Sequence, residues 1–191
     1  MARPRKFDEH TAIERAMQAF WSGGYEGTST ETLCEATGLG RSSIYNTFTS
    51  KHELFRKSLR HYAEVTAETR ADLLDTPEPV RDRVRRLLRS IIDDELSHDR
   101  RGCLAVNTVM EFGRTDPEIA AVIRRDSARF VDDLRALFEQ AQRDGEIERN
   151  RDPVALARFL HSTIGGLRVQ ARQGLSRAAL ESIADVALTA L

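Results

Sequence analysis

The chain of 191 residues is long enough to bury a sizeable core, and its length suits a small module joined to a larger one. Its composition, 40% hydrophobic and 31% charged, excludes an intrinsically disordered chain, and its net charge of −1 argues neither for nor against a nucleic-acid partner. Cys34 and Cys103 match no zinc spacing and no disulfide framework. No apolar run approaches the roughly 20 residues of a membrane span, so we expect a cytoplasmic protein without cofactor or metal.

Helical periodicity covers almost the whole chain. Apolar residues recur every three or four positions, and no stretch alternates as a strand would, so the sequence predicts an all-α fold of about nine helices. We expect Gly23-Gly24 to end the first helix and Gly145 and Gly174 to end two later ones. We expect a first domain at 1–49 and a second at 50–191, linked by a helix that begins near residue 50.

Three helix starts carry a chemical signature. Ser50 followed by Glu53 is the pattern of a capping box, in which each side chain accepts from the other residue's backbone N–H. Asp116-Pro117 and Asp152-Pro153 each place an N-cap acid before a proline that suits the first helical position. His52 lies in a polar stretch and is predicted to be solvated surface.

Residues 28–48, TSTETLCEATGLGRSSIYNTF, predict two short helices joined by a tight turn at Gly38, where a residue without Cβ adopts a positive φ. The second helix, roughly Arg41 to Thr47, offers only hydrogen-bond donors and small polar groups on its outer side, with no acid among them. Such a face suits the major groove of DNA, where these side chains contact phosphates and base edges. A polar helical turn on an ordinary surface is the alternative.

The same segment carries a long motif. Its members are Thr28-Ser29-Thr30, Gly38, Ile44-Tyr45, Phe48 and Ser50-Lys51. This pattern resembles the TetR family of bacterial transcriptional regulators, and the resemblance covers about residues 8–60. Gly40 departs from it, since a polar residue often caps the recognition helix there. The resemblance implies a three-helix DNA-binding domain, a larger helical domain for ligand and dimer contacts, and a repressor that a small effector releases from a palindromic operator. It implies a regulator, not an enzyme.

The resemblance also assigns DNA contacts position by position. The positions that resemble base-reading residues are Arg41, Ser43 and Asn46. Those that resemble phosphate contacts are Thr30, Tyr45 and Lys51, while Ser42 and Thr47 suit either role. The basic start Arg3-Pro-Arg5-Lys6 is either a flexible arm on the DNA or a solvated terminus.

The last two predicted helices supply a candidate dimer surface. Residues 153–172 are apolar on more than one side and contain Gly165-Gly166 in mid-helix, which close approach of a facing helix would explain. In the family, two such helices from each subunit form a four-helix bundle. We therefore expect a homodimer interface, the alternative being that these helices only cap the subunit's core. The predicted interface residues are Leu160, Ile164, Leu167, Ile183 and Ala187.

The resemblance implies an effector pocket in residues 61–150, between the DNA-binding module and the last two helices. Cys103, Asn107 and Met110 are spaced at i, i+4 and i+7, which predicts one helical face. Cys103 is either a sensing thiol or an ordinary buried cysteine, and Asn107 is either a ligand contact or a satisfied polar residue. The full set of candidate pocket residues is Tyr62, Cys103, Asn107, Met110, Phe130 and Phe159.

From the residues alone, two other classes of function remain possible. An enzyme would need a phosphate-binding loop, paired carboxylates, a metal site or a nucleophile with its base, and no motif of these kinds stands in the sequence. A helical interaction module that has lost DNA binding is the third class. Intact Arg41, Tyr45 and Lys51 speak against it.

Overall fold

The structure, a computed structural model, describes residues 8–97, 101–113 and 115–191. The proposed N-terminal arm therefore lies outside the described residues. Within these ranges the chain is all-α, with no strand, which confirms the predicted fold class. The helices are α1 Glu9–Gly27, α2 Thr30–Thr37, α3 Arg41–Phe48, α4 Lys51–Leu74, α5 Val80–Leu96, α6 Leu104–Phe112, α7 Pro117–Arg143, α8 Pro153–Arg172 and α9 Arg177–Leu188. None of the helices in the described part is long and apolar enough to cross a membrane.

The predicted helix starts are confirmed, with one difference at α4. Asp116 and Asp152 cap α7 and α8 with their side chains, and each precedes a proline in the first turn. At α4 the Ser50 hydroxyl accepts from the backbone N–H of Glu53 at 3.0 Å. The Glu53 carboxylate, however, pairs with Arg56 at 2.6 Å and does not return to the N-cap. The capping box is therefore half formed.

The first run of α1 ends where the glycine pair predicts. Helical geometry stops at Gly24, and a short second helical turn continues to Gly27. Gly24 has φ 71° and ψ 175°, a conformation that strains any residue with a Cβ. The interruption turns the backbone N–H groups of Tyr25 and Glu26 outward, so that they are available to a partner outside the helix.

Two hydrophobic cores divide the subunit. The N-terminal core unites α1, α2, α3 and the first half of α4, but it also contains Cys103 and Leu104 at the start of α6 and Ile119 of α7. The C-terminal core is formed by α5, the later part of α7, α8 and α9, together with Leu74 at the end of α4. Helix α4 thus joins both cores, and α6 packs against α1, α4 and α7. The domain boundary between residues 49 and 50 stays a prediction.

The last two helices turn most of their predicted dimer residues inward. Leu160, Ile164, Leu167 and Ala187 are at most 5% exposed and belong to the subunit's own packing, which corrects their assignment to a dimer surface; Ile183 is 37% exposed. Because α8 is apolar on more than one side, its periodicity alone does not identify the stripe that faces the core. The large apolar side chains that stay exposed are Phe159 (46%), Val169 (39%), Ile183 (37%) and Val186 (66%).

Candidate nucleic-acid interface

The turn between α2 and α3 is fixed by a left-handed glycine and by three buried side chains. Gly38 has φ 72° and ψ 14°, and its N–H donates to the carbonyl of Cys34 at 2.9 Å, as a helix C-cap does. Leu33 of α2 and Ile44 and Phe48 of α3 are at most 1% exposed. Their burial holds the short, polar α3 on the body of the protein, which its own helix propensity would not do.

The outer side of α3 carries the predicted polar face. Arg41, Ser42, Tyr45 and Asn46 are exposed, whereas Ser43 and Thr47 are half-buried. Gly40 is the N-cap and gives no side-chain hydrogen bond, so the first N–H groups of α3 have no side-chain cap. A helix N-terminus of this kind favours an anion.

Tyr45 links α3 to α2. Its hydroxyl lies 3.2 Å from the hydroxyl of Thr30, and the Arg41 guanidinium lies 5.8 Å from the centre of its ring. The hydrogen bond with Thr30 lowers the pKa of Tyr45, with a smaller contribution from the charge of Arg41. Three predicted DNA-contacting side chains are therefore brought together at one edge of the helix-turn-helix.

Lys51 occupies the first turn of α4 beside this face. Its ammonium lies 4.3 Å from the centre of the Tyr25 ring, which is a cation–π contact. The Tyr25 ring in turn packs against Phe55 at 5.0 Å and against Phe112 of α6 at 5.1 Å. The position of this predicted phosphate contact thus depends on the end of α1 and on α6.

The carboxylate of Glu111 ties α6 to the interrupted end of α1. It accepts from the backbone N–H of Tyr25 at 2.9 Å and from that of Glu26 at 2.7 Å. A Cβ at Gly24 would lie 3.4 Å from the same carboxylate, an ordinary contact, so it is the φ of 71° and not the approach that favours glycine there. We call these two hydrogen bonds the Glu111 clasp. Sequence reasoning missed it, and the only signal was the glycine pair before Tyr25.

A second junction connects α4 with the start of α7. The imidazole of His52 lies 2.7 Å from the carboxylate of Asp116, and Arg56 pairs with Glu118 at 3.0 Å. His52 is half-buried, so its prediction as solvated surface is wrong. A polar local sequence did not reveal that α7 packs over this turn.

A cavity of about 400 Å³, partly open to solvent, lies between α1, α4, α5, α8 and the segment before α6. Of the candidate pocket residues it brings together Tyr62 and Cys103. Asn107 and Met110 line a separate open groove, where Met110 is 79% exposed. The predicted common face fails because Cys103 precedes α6 in an extended conformation, φ −97° and ψ 120°, so the helical spacing does not hold there.

The other candidate pocket residues lie elsewhere. Phe130 is buried in the C-terminal core with the Arg70 guanidinium 4.3 Å from its ring centre, and Phe159 is 46% exposed on α8. Asn107 donates through its side-chain amide to the carbonyl of Arg101 at 3.0 Å, which favours the reading of a satisfied polar residue.

The cavity concentrates buried polar groups around Cys103. The sulfur of Cys103, which is 4% exposed, accepts from Arg168 at 2.8 Å and from the hydroxyl of Tyr62 at 3.4 Å. Burial raises the pKa of Tyr62 well above its ordinary value. It also raises the pKa of the Glu95 carboxyl, against the opposing effect of the nearby Arg168 charge. Sequence reasoning missed both Glu95 and Arg168.

A helix-turn-helix with a donor-rich second helix, joined to a helical body that holds a cavity, defines a transcriptional regulator of the helix-turn-helix class. The comparisons with known proteins agree. Residues 12–57 match the family described as "Bacterial regulatory proteins, tetR family". Residues 95–186 match that described as "Tetracyclin repressor-like, C-terminal domain". The chain belongs to the TetR family, as the motif in residues 28–51 predicted.

Similar proteins cover the whole chain. The HTH-type transcriptional repressor ComR of Escherichia coli K12 is 33% identical, covering 99% of this chain and 90% of ComR. The uncharacterized regulator YezE of Bacillus subtilis is 28% identical over the full length of both. Among solved structures, a cysteine-substituted form of the TetR-family regulator CifR, complexed with 26-bp operator DNA, is 33% identical. Its TM-score is 0.85, and the match covers 98% of each chain. These relatives are transcriptional regulators, not enzymes.

Proposed function

We propose that this chain is a cytoplasmic, homodimeric repressor that binds a palindromic operator through α3 and is released from it by a small molecule. The observation that carries the proposal is the outer face of α3, which contains no acidic residue. Arg41, Ser42 and Asn46 are exposed on this face, and Tyr45 and Lys51 lie beside them. The similarity to ComR and to the operator-bound CifR supports it.

We propose two kinds of DNA contact for the side chains on and beside α3, according to their chemistry. Arg41, Ser43 and Asn46 are proposed to read base edges, for which guanidinium and amide groups offer paired hydrogen bonds. Thr30, Tyr45 and Lys51 lie toward the rim and are proposed to hold phosphates, which sets register and orientation rather than sequence. The half-buried Ser43 and Thr47 would reach only a closely approaching groove wall.

Two copies of α3 are needed for a specific site, because one short helix contacts too few base pairs. In dimers of this class the two helices enter the major groove about 34–36 Å apart, one turn of DNA. The exposed apolar residues of α8 and α9, Phe159, Val169 and Val186, are the proposed contact surface. A Cβ at Gly165 or Gly166 would meet nothing within 4 Å in the subunit, which leaves room for a partner helix.

The proposed release begins at the cavity and passes through α6. Cys103, immediately before α6, faces the cavity, and Glu111, near its other end, forms the clasp on α1. A ligand that displaces the start of this nine-residue helix would therefore displace the end of α1, with Tyr25 and Lys51. A shift in the spacing of two recognition helices is enough to weaken operator binding, since coupling of about 1–3 kcal/mol is typical of such switches.

The test is retention of genomic DNA. The purified full-length protein is incubated with fragmented genomic DNA and the retained fragments are sequenced. Lys51→Ala and Tyr45→Ala are compared with Arg149→Ala, a matched control in an exposed loop remote from α3. We expect the parent and the control to enrich an inverted repeat, and we expect the Tyr45 and Lys51 variants to lose this enrichment. Retention without any shared repeat, equal for all four proteins, would contradict the proposal.

A further inference from the structure

We propose that the cavity takes a neutral, largely apolar molecule whose single polar head group, an amide or a hydroxyl, bridges Glu95 and Arg168. This inference rests on the proposed function, because it names the class of ligand that the regulator would sense. The observation behind it is that two residues of the cavity wall, Glu95 and Arg168, each have one buried polar side-chain atom without a hydrogen-bond partner among the described residues.

Glu95 provides the acceptor. Its side chain is only 5% exposed, and in the described part of the chain its Oε2 has no hydrogen-bond partner. A buried carboxylate oxygen without a donor is unfavourable, because it has lost its water and gained no hydrogen bond in exchange. A donor from a ligand in the adjoining cavity would restore one.

Arg168 provides the donor. Its Nη1 is occupied by the sulfur of Cys103 at 2.8 Å, but its Nε is buried and likewise lacks a hydrogen-bond partner within the described residues. Nε lies 3.7 Å from Oε1 of Glu95, which is too long for a hydrogen bond. Nε of Arg168 and the carboxylate of Glu95 are therefore neighbours in the cavity wall, and a group that both donates and accepts would serve both when the two side chains turn toward it.

The charges of the cavity favour a neutral head group. The lining carries the cations Arg70, Arg101 and Arg168 and the anions Asp94 and Glu95. Arg168 lies 3.7 Å from Glu95, and Arg70 is paired with Asp126 at 2.9 Å, so charges of both signs face the cavity. A ligand carboxylate at the bridging position would meet the charge of Glu95, and a ligand ammonium would meet that of Arg168. An amide or a hydroxyl encounters neither repulsion and satisfies both groups.

Part of the remaining wall is apolar and aromatic, although the lining also includes polar side chains such as Gln18, Thr66 and Ser90. Met17, Leu87 and Ile91 contribute buried aliphatic surface, and the rings of Trp21 and Tyr62 meet edge to face at 5.0 Å. The volume of about 400 Å³ lies in the lower part of the range of small-molecule sites, roughly 300–1,000 Å³. A single-ring compound with one polar substituent has the right size and character.

The chain contains its own reporter for this site. Trp21, the single tryptophan of the sequence, lines the cavity, and its indole N–H donates to the carbonyl of Gly102 at 2.8 Å. The probes are five one-ring compounds: benzamide, benzyl alcohol, toluene, benzoate and benzylamine. We expect benzamide and benzyl alcohol to change the fluorescence saturably and to bind at least tenfold more tightly than the other three.

A variant of the acceptor makes the test specific. Glu95→Gln keeps the shape but replaces the free carboxylate by an amide, and we expect benzamide to bind at least tenfold more weakly while toluene is unaffected. Glu148→Gln, on an exposed turn, is the matched control and should bind as the parent does. If Glu95→Gln does not fold, as judged by its thermal transition, Glu95→Asp, which withdraws the carboxylate from the bridge, is measured instead, with the same expectation.

Three results would overturn the inference. They are the absence of a saturable signal with all five probes, equal affinity for benzamide and toluene, and unchanged benzamide binding by the folded Glu95 variant. DNA retention is measured on the same preparations. Failure of ligand binding with intact DNA retention contradicts only the ligand class, whereas failure of DNA retention contradicts the proposed function.

Discussion

The outer faces of α3 and of α8 and α9 differ in kind, although the buried sides of the three helices are alike. Each helix packs aliphatic or aromatic side chains inward, such as Ile44 of α3 and Leu160 of α8. Outward, α3 exposes Arg41 and Asn46, whereas α9 exposes Val186. The buried sides account for the fold, and the exposed sides distinguish a surface for nucleic acid from one for another protein chain.

The largest effect is expected from a charge on the apolar face. Val186→Asp would place an unpaired carboxylate in the proposed dimer contact, which is strongly unfavourable if the face is buried there. We expect a monomer by sedimentation equilibrium and at least about a hundredfold weaker operator binding, because two half-sites are then no longer bound together.

Asn150→Asp, which adds one negative charge on an exposed turn, is the control for that variant and should leave both measurements unchanged. A Val186→Asp protein that stays dimeric would show that α9 is not the contact. The exposed apolar side of α9 would then not be a protein-contact surface, and its contrast with the DNA-binding face of α3 would have no functional meaning.

Substitutions on α3 and at the start of α4 should separate base recognition from phosphate binding. Arg41→Ala would lose paired contacts to a base and relax the preference at one operator position by about 1–3 kcal/mol. Lys51→Ala would weaken binding to all sequences alike and reduce the salt dependence by about one phosphate contact. Fluorescence anisotropy with a matched set of operator variants at several salt concentrations measures both, and identical profiles for the two variants would contradict this division.

The Glu111 clasp predicts a smaller effect on stability and a specific one on regulation. Glu111→Gln keeps only one acceptor oxygen, so one of two charge-assisted hydrogen bonds is lost, at a cost of about 1 kcal/mol for this exposed group. Operator binding without ligand should change little, while its response to a cavity ligand should diminish. Glu148→Gln is the control in urea unfolding and in the binding assay. If the cavity ligand changed operator binding equally in both variants, the Glu111 clasp would have no part in the regulatory response.

The smallest effect concerns the pH dependence of the cap on α7. The backbone N–H of Ile119, helped by His52, lowers the pKa of Asp116 below its ordinary value. The charged form therefore stabilises the folded protein above the ordinary aspartate range, and this contribution disappears as the pH falls through the lowered pKa. Asp116→Asn keeps a capping side chain, so the loss at pH 7 should be below about 1 kcal/mol.

Urea unfolding of the parent and of Asp116→Asn across the acidic range measures this contribution. The difference between the two proteins should vanish at low pH. A constant difference would show that the charge of Asp116 contributes nothing.

The helix-turn-helix was predictable because its signals are local. The residues that set the helix bounds lie within a few positions of those bounds: Gly38 ends α2, Ser50 caps α4, and Ile44 and Phe48 mark the inward side of α3. The N-caps Asp116 and Asp152 were predictable for the same reason.

The other site features depend on contacts between distant segments. Glu95, Arg168 and Cys103 meet across three elements, and the Glu111 clasp joins residues 85 or 86 positions apart. No periodicity within one helix encodes such a meeting. The inward stripe of α8 was mistaken for the outward one because both stripes are apolar.

The aromatic contact among Lys51, Tyr25 and Phe112 has a thermodynamic consequence. If a ligand in the cavity lowers affinity for the operator through this contact, then the operator must lower affinity for the ligand by the same factor. A regulator bound to its operator would therefore respond at a higher ligand concentration than a free one. The proposed contact of Lys51 with a DNA phosphate would thereby help to set the ligand concentration at which the distant cavity responds.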